Sequence, residues 1–90
     1  MALEQNYPNP FNPATEIRFQ LSETEHVLLI VYNTIGQEVK QLVNDMKPAA
    51  SHSVIWDGKD AYGNGVASGI YIYRLQARRQ VVAKRMIFVK

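Results

Sequence analysis

Two aspartates and an asparagine stand among glycines in the run Asp57-Gly58-Lys59-Asp60-Ala61-Tyr62-Gly63-Asn64-Gly65. Oxygen-bearing side chains on a flexible backbone are what a hard cation such as calcium requires. Asp57, Asp60 and Asn64 are therefore a candidate metal set. Two features oppose it: Lys59 puts a positive charge inside the cluster, and the bidentate glutamate that closes an EF-hand loop is missing. Asp and Asn also stabilise turns by bonding their own backbone. The loop reads first as a structural turn, and no cofactor is expected. Nucleophilic catalysis would need a Ser, Cys or Thr beside a base. The histidines are His26 and His52, and neither has a glycine-elbow serine near it. Glu23 and Glu25 are paired carboxylates, but they fall in a turn and read as solvated. There is no glycine-rich phosphate loop and no cysteine. The chain is expected not to be an enzyme.

What remains is the scaffold that positions these residues. Three of the four prolines lie in Asn6-Tyr7-Pro8-Asn9-Pro10-Phe11-Asn12-Pro13. Proline fixes φ and holds the residue before it extended. Residues 3–14 are therefore expected to form an extended strap, with Tyr7 and Phe11 pinned onto a sheet. From Thr15 to Leu21 apolar and polar residues alternate, so Ile17, Phe19 and Leu21 share a face. Glu23 to Glu25 is a turn. Strands are expected over Val27–Tyr32, Gln37–Val43, His52–Trp56, Ile70–Leu75 and Val81–Val89. Asn44–Ala50 and Lys59–Gly65 are expected loops, and Ala77–Gln80 turns the chain. Short strands at this spacing, without helical periodicity, predict an all-β antiparallel sandwich of about 6–8 strands. Ninety residues fit one domain, 1–90, with 15–90 as the sandwich.

Trp56, Tyr71, Tyr73 and Leu75 are expected in the core, with a ligand-stacking aromatic platform as the alternative. If Val27, Leu29, Val31, Val54 and Trp56 point inward, then Leu28, Ile30 and Ile55 point outward. An outward apolar stripe is a candidate self-association face; cover by the strap or a neighbouring domain is the alternative. Charge is lopsided. Residues 74–90 hold six basic and no acidic residues, leaving residues 1–73 with four basic and eight acidic. That basic end is either a solvated hairpin face or a surface for an acidic partner. The longest apolar run, Val27–Tyr32, falls far short of the roughly 20 residues that span a bilayer. No basic n-region with an apolar h-region opens the chain.

Several spaced motifs, in order, carry a resemblance. Asn6-Tyr7-Pro8-Asn9-Pro10-Phe11-Asn12-Pro13-Ala14-Thr15-Glu16-Ile17 resembles the opening motif of type IX secretion-system C-terminal sorting domains. Val31-Tyr32-Asn33-Thr34-Ile35-Gly36-Gln37-Glu38-Val39 is similar to that family's second motif. Trp56-Asp57-Gly58-Lys59-Asp60 with Gly63, then Ser68-Gly69-Ile70-Tyr71-Ile72-Tyr73-Arg74-Leu75, is similar to its third. Lys84-Arg85-Met86-Ile87-Phe88-Val89-Lys90 resembles its ending. The immunoglobulin-like domain of the flagellar hook-capping protein is related and shares the later motifs. The resemblance implies an immunoglobulin-like sandwich at the C-terminus of a larger cargo protein of a Gram-negative bacterium. It implies passage through the periplasm and outer membrane to the cell surface or medium. The implied partners are the upstream cargo domain, the type IX translocon and a surface sortase, with anionic lipopolysaccharide as an attachment point. Nucleic acid is not an expected partner. Carried over to this sequence, the recognition elements are Ser68, Gly69, Ile70, Tyr71, Lys84 and Lys90. The chain departs from the family near Ala50 and at Arg78-Arg79, where glycine is usual. A lost glycine strains or reshapes a turn wherever φ must be positive. A structural or adhesive immunoglobulin-like module, hook-cap-like or carbohydrate-binding through Tyr62 or Trp56, is the alternative.

Overall fold

The computed structural model describes residues 1–90. It contains seven strands and no helix: β1 (Ala2–Leu3), β2 (Thr15–Gln20), β3 (Glu25–Tyr32), β4 (Glu38–Lys47), β5 (Ser51–Trp56), β6 (Gly69–Ala77) and β7 (Gln80–Phe88). They form two antiparallel sheets, ordered β1-β2-β5 and β4-β3-β6-β7. This is the all-β sandwich that the alternation required.

Burial follows the period of two. In β2, Thr15, Ile17 and Phe19 are buried, while Arg18 and Gln20 face solvent. In β6, Tyr71, Tyr73, Leu75 and Ala77 are buried. Val27, Leu29, Val31 and Trp56 are fully buried, and Val54 packs on the core from its edge. Each buried aliphatic or aromatic side chain stabilises by about 1.5–3 kcal/mol.

The elements depart from or add to the expectation in three places. First, β4 runs to Lys47, through residues expected to be loop. Asn44, Asp45 and Met46 have poor strand signals, yet β3 begins at Glu25 and supplies ladder partners down to Glu25↔Lys47. Pairing with a long neighbour overrides local preference. Second, the uneven apolar pattern of β4 comes from two register shifts. Leu29 pairs with Val43 and Ile30 with Gln41, so Leu42 is an extra residue. Val31 pairs with Lys40 and Tyr32 with Glu38, so Val39 is also an extra residue. Leu42 and Val43 can then both pack against the core. Third, β1 was not anticipated. Leu3 pairs with Phe19 and enters the core.

The strap is docked, but it is not the extended segment expected: residues 8–10 and 12–13 are bends beside single bridges at Tyr7 and Phe11, and not every aromatic is buried. Phe11 is 2% exposed, whereas Tyr7 is 79% exposed. Tyr7 holds on by its backbone, exchanging both bonds with Glu16 at 3.0 and 2.8 Å, so its ring is free to face solvent. Asn6 is the buried member instead. Its Nδ2 donates to Thr15 Oγ1 at 3.0 Å and its N–H to the Tyr73 hydroxyl at 2.8 Å.

The two departures from glycine resolve differently. Ala50 has no positive φ, so that turn requires no glycine. Arg78, in the two-residue β6–β7 turn, has φ 54°. Glu23 and Glu25 are not both solvated: Glu25 is 8% exposed, and its Oε2 lies 3.2 Å from Arg78 Nε.

Candidate recognition surface

The hairpin β6–β7 and the strap form one constructed unit. Phe11 stacks on Phe88 at 5.0 Å between centroids and packs at a tilt on Trp56 at 5.6 Å. Tyr71 meets Trp56 edge-on at 5.3 Å. Trp56 Nε1 donates to the Lys59 carbonyl at 2.9 Å, so the one polar atom of the indole is satisfied. Gly58, with φ 73°, lies under the Phe88 ring; a Cβ there would stand 2.9 Å from Phe88 Cζ. The motif Trp56-Asp57-Gly58 is thus the floor on which strap and hairpin meet.

Along the outer edge of β7 the strap takes the place of a further strand. Phe11 N–H donates to the Ile87 carbonyl at 2.9 Å, and Val89 N–H donates to the Phe11 carbonyl at 3.0 Å. Asn9 Oδ1 accepts from Ile87 N–H at 2.9 Å. Gln5 Nε2 donates to the Arg85 carbonyl at 2.7 Å. At the far end, Lys90 N–H donates to Ser68 Oγ at 2.9 Å. The Tyr73 hydroxyl donates to the Glu4 carbonyl at 2.7 Å. Burial pushes the Tyr73 phenol up to about 12, opposed in part by its bond from Asn6. Burial raises Tyr71 as well.

The carried-over recognition residues divide. Ser68, Gly69 and Lys90 meet at the end of the hairpin, where Gly69 pairs with Phe88. Ile70 is exposed and pairs with Ile87. Lys84 is half-buried, opposite Tyr73. Ile70 and Lys84 line one shallow depression of about 370 Å³ with Gln5, Asn9, Arg85 and Ile87. Tyr71 does not belong to this surface. It is 7% exposed, and its hydroxyl donates to the Ala67 carbonyl at 2.6 Å, so its role is to hold the Ala67–Gly69 corner. Gln5 and Asn9 are the surface residues that sequence reasoning missed. Asn9 lies inside the proline motif Asn6–Pro13, which was its signal, whereas Gln5 stands just before that motif and carried none.

The candidate self-association face comes apart. Leu28 and Ile30 lie on β3 and Ile55 on β5, which belong to different sheets, so their outward sides face away from each other. Ile55 is 58% exposed, Leu28 is half-buried and Ile30 is only 5% exposed. Gln41 and Arg74, the cross-strand neighbours of Ile30, have stems long enough to cover it. The candidate metal residues act as turn acceptors. Asp57 Oδ1 accepts from Lys59 N–H at 3.1 Å. Asp60 Oδ1 accepts from Tyr62 N–H and Asn64 N–H at 2.9 and 3.0 Å. Asn64 closes the loop through its carbonyl, 2.8 Å from Asp60 N. No group of three or more His, Cys, Asp or Glu converges anywhere. His52 Nε2 lies 2.8 Å from the Pro48 carbonyl, and its ring stacks on Phe19 at 5.3 Å. Trp56 is fully buried, so it offers no stacking platform, whereas Tyr62 is 89% exposed.

The FlgD Ig-like domain family matches residues 7–80. A comparison with curated proteins finds no match. Among solved structures the chain resembles PorU from Porphyromonas gingivalis, with a TM-score of 0.76 and 21% identity over 97% of this chain and 9% of that one. It resembles PorZ, a surface component of the type-IX secretion system of the same bacterium, with a TM-score of 0.69 and 22% identity over 96% of this chain and 11% of that one. It also resembles FlgD from P. aeruginosa, with a TM-score of 0.66 and 25% identity over 82% of this chain and 59% of that one. The chain spans about a tenth of PorU and PorZ and under two thirds of FlgD.

Proposed function

The chain belongs to the FlgD Ig-like domain family, and from that premise we propose that it is a non-catalytic C-terminal module that addresses a larger cargo protein to the type IX secretion system. The observation that carries the reading is the strap-braced β6–β7 hairpin. A receptor that reads a folded signal needs a rigid, accessible element whose shape does not depend on the cargo. The strap supplies rigidity by binding Arg85, Ile87 and Val89 of the hairpin's outer edge and its extension. Ser68, Ile70 and Lys90 remain exposed at the end of that unit, and the basic charge of residues 74–90 gives it a distinct field. The resemblance of the opening proline motif and of the chain's ending to sorting domains supports the same reading. So does the fold shared with PorZ.

A reporter fused upstream of residues 1–90 and expressed in a bacterium with a type IX system should reach the cell surface or medium. Retention of the reporter in the periplasm, with the domain folded, overturns the reading.

A structural role is the second reading, favoured by the family match to a hook-capping protein's domain. Concentration-dependent assembly of the chain, with no export of the reporter, would select it.

A further inference from the structure

We propose that the uncapped half of the β7 edge receives an extended peptide segment of a partner, by strand addition, with a carboxylate of that segment set against Lys84. The inference concerns the same hairpin as the proposed function and rests on that reading for its biological setting.

The geometry starts from alternation. In an antiparallel ladder, the backbone groups of successive residues point to opposite sides of the strand. The strap's bonds go to the Arg85 carbonyl, to both groups of Ile87 and to Val89 N–H. Odd-numbered residues of β7 therefore present their N–H and C=O to the outer edge. Two residues and four residues before Arg85, the same edge belongs to Ala83 and Val81. No backbone or side-chain group bonds them outside the strand ladder. A run from Val81 to the N–H of Arg85 thus has no hydrogen-bond partner on its outer side, although β1 of the facing sheet touches β7, and β7 is the last strand of its sheet. Edges of this kind are templates for pairing.

The charge on this edge selects the occupant. Lys84 has the same parity as Met86 and Phe88, the inward-facing residues of β7, and is half-buried. Neither Lys84 nor Arg85 has an ion-pair partner. An inward-facing lysine on an edge strand discourages pairing with a like strand. A second copy of β7 would bring a second Lys84 and Arg85 to the same ribbon, and like charges close across a sheet oppose association. A segment carrying Glu or Asp reverses that term, because its carboxylate gains a half-buried cation that lacks any partner. The depression at the border with the capped half, where Ile70, Lys84, Arg85 and Ile87 meet the strap residues Gln5 and Asn9, accepts an apolar residue at the end of the same segment. The occupant is therefore extended, acidic and partly apolar, and it is not a second copy of this chain.

The test uses the 90-residue chain and two capped eight-residue peptides. Each alternates threonine and valine around a central residue, glutamate in one and glutamine in the other. Backbone amide exchange should slow at Val81, Ala83 and Arg85 with the glutamate peptide. The glutamine peptide should bind about fivefold more weakly. Lys84→Gln should erase that difference, and Ala83→Pro, which removes an outward N–H but no bond to β6, should abolish binding of both. Should Ala83→Pro fail to fold, Lys84→Gln still decides. Unchanged exchange at Val81 and Ala83 under millimolar peptide overturns the proposal. So do equal affinities for the two peptides, and so does a peptide-free dimer that protects the same amides. No export machinery takes part, so a failed export assay and a failed peptide assay are distinguishable.

Discussion

Arg78 holds a left-handed backbone conformation that a side chain with a Cβ occupies at a cost of about 1–2 kcal/mol. Its guanidinium reaches Glu25 at 3.2 Å and Glu23 at 3.5 Å across the end of β3. Glu23 is exposed and contributes little; Glu25 is buried, and its pairing contributes more. Replacing Arg78 with glycine removes the strain and the pairs together, so the two changes offset. Urea midpoints should place Arg78→Gly within about 1 kcal/mol of the parent, and Arg78→Ala about 1–2 kcal/mol below it. An alanine variant as stable as the glycine variant would show that the turn is unstrained. The absence of glycine was legible in the sequence as a doubt about this turn. The compensation was not, because Glu25 sits more than fifty residues away and reads as part of a solvated pair. Tyr73 makes a second residue-scale case. Its folded-state value is about 12 against an ordinary 10.0. Below the ordinary value both folded and unfolded states keep the proton. Between the two values the unfolded chain releases it and the folded chain does not, so stability falls as pH rises from about 10 to about 12. Tyr73→Phe should show a shallower alkaline decline in chemical denaturation, at a cost near neutral pH from the lost bonds to Glu4 and Asn6. An unchanged slope would place that decline elsewhere.

Among the elements, the strap shows how a polar segment can be as specific as a strand. The alternation of β2 and β6 was plain from their residues, and both emerged with the expected buried faces. The strap has no such period. Its proline content predicted extension, but residues 8–10 and 12–13 bend instead, and which side chains it buries depends on partners that only the fold assembles. Phe11 has Phe88 and Trp56 to meet, while Tyr7 has only the backbone of Glu16. The two register shifts in β3–β4 were hidden for a similar reason: an extra residue at Leu42 and another at Val39 leave a pattern that mimics poor strand periodicity. Asn9 tests the strap as an element. Its Oδ1 accepts the Ile87 N–H, a bond that a backbone carbonyl would make in a true ladder. Asn9→Ala should speed exchange of the Ile87 amide at least about tenfold by local opening, while Val89, held by the Phe11 carbonyl, stays protected. Equal acceleration at both amides would mean that the strap comes off as a whole.

At the scale of the molecule, strap, β5 and hairpin share one aromatic cluster, so none of them has a core of its own. Trp56 meets Phe11, Tyr71 and Phe88, Phe11 also stacks on Phe88, and all four belong to the same buried cluster as Leu29 and Val31. A domain of this length has a small stability margin, on the order of 5–10 kcal/mol. Loss of a buried Phe side chain costs about 3–5 kcal/mol. Phe11→Ala should therefore lower the whole domain and not merely release its first residues. In native-state amide exchange, protection at Val89 and at Leu29 should fall by the same free energy, and Trp56 emission should shift to the red in one unfolding step. A separate, earlier loss of protection along the strap edge, with Leu29 unaffected, would show an independent unit. That outcome matters for the proposed role. A hairpin whose shape depends on the entire core can report that the domain has folded, whereas a hairpin braced by a detachable strap reports only on the strap.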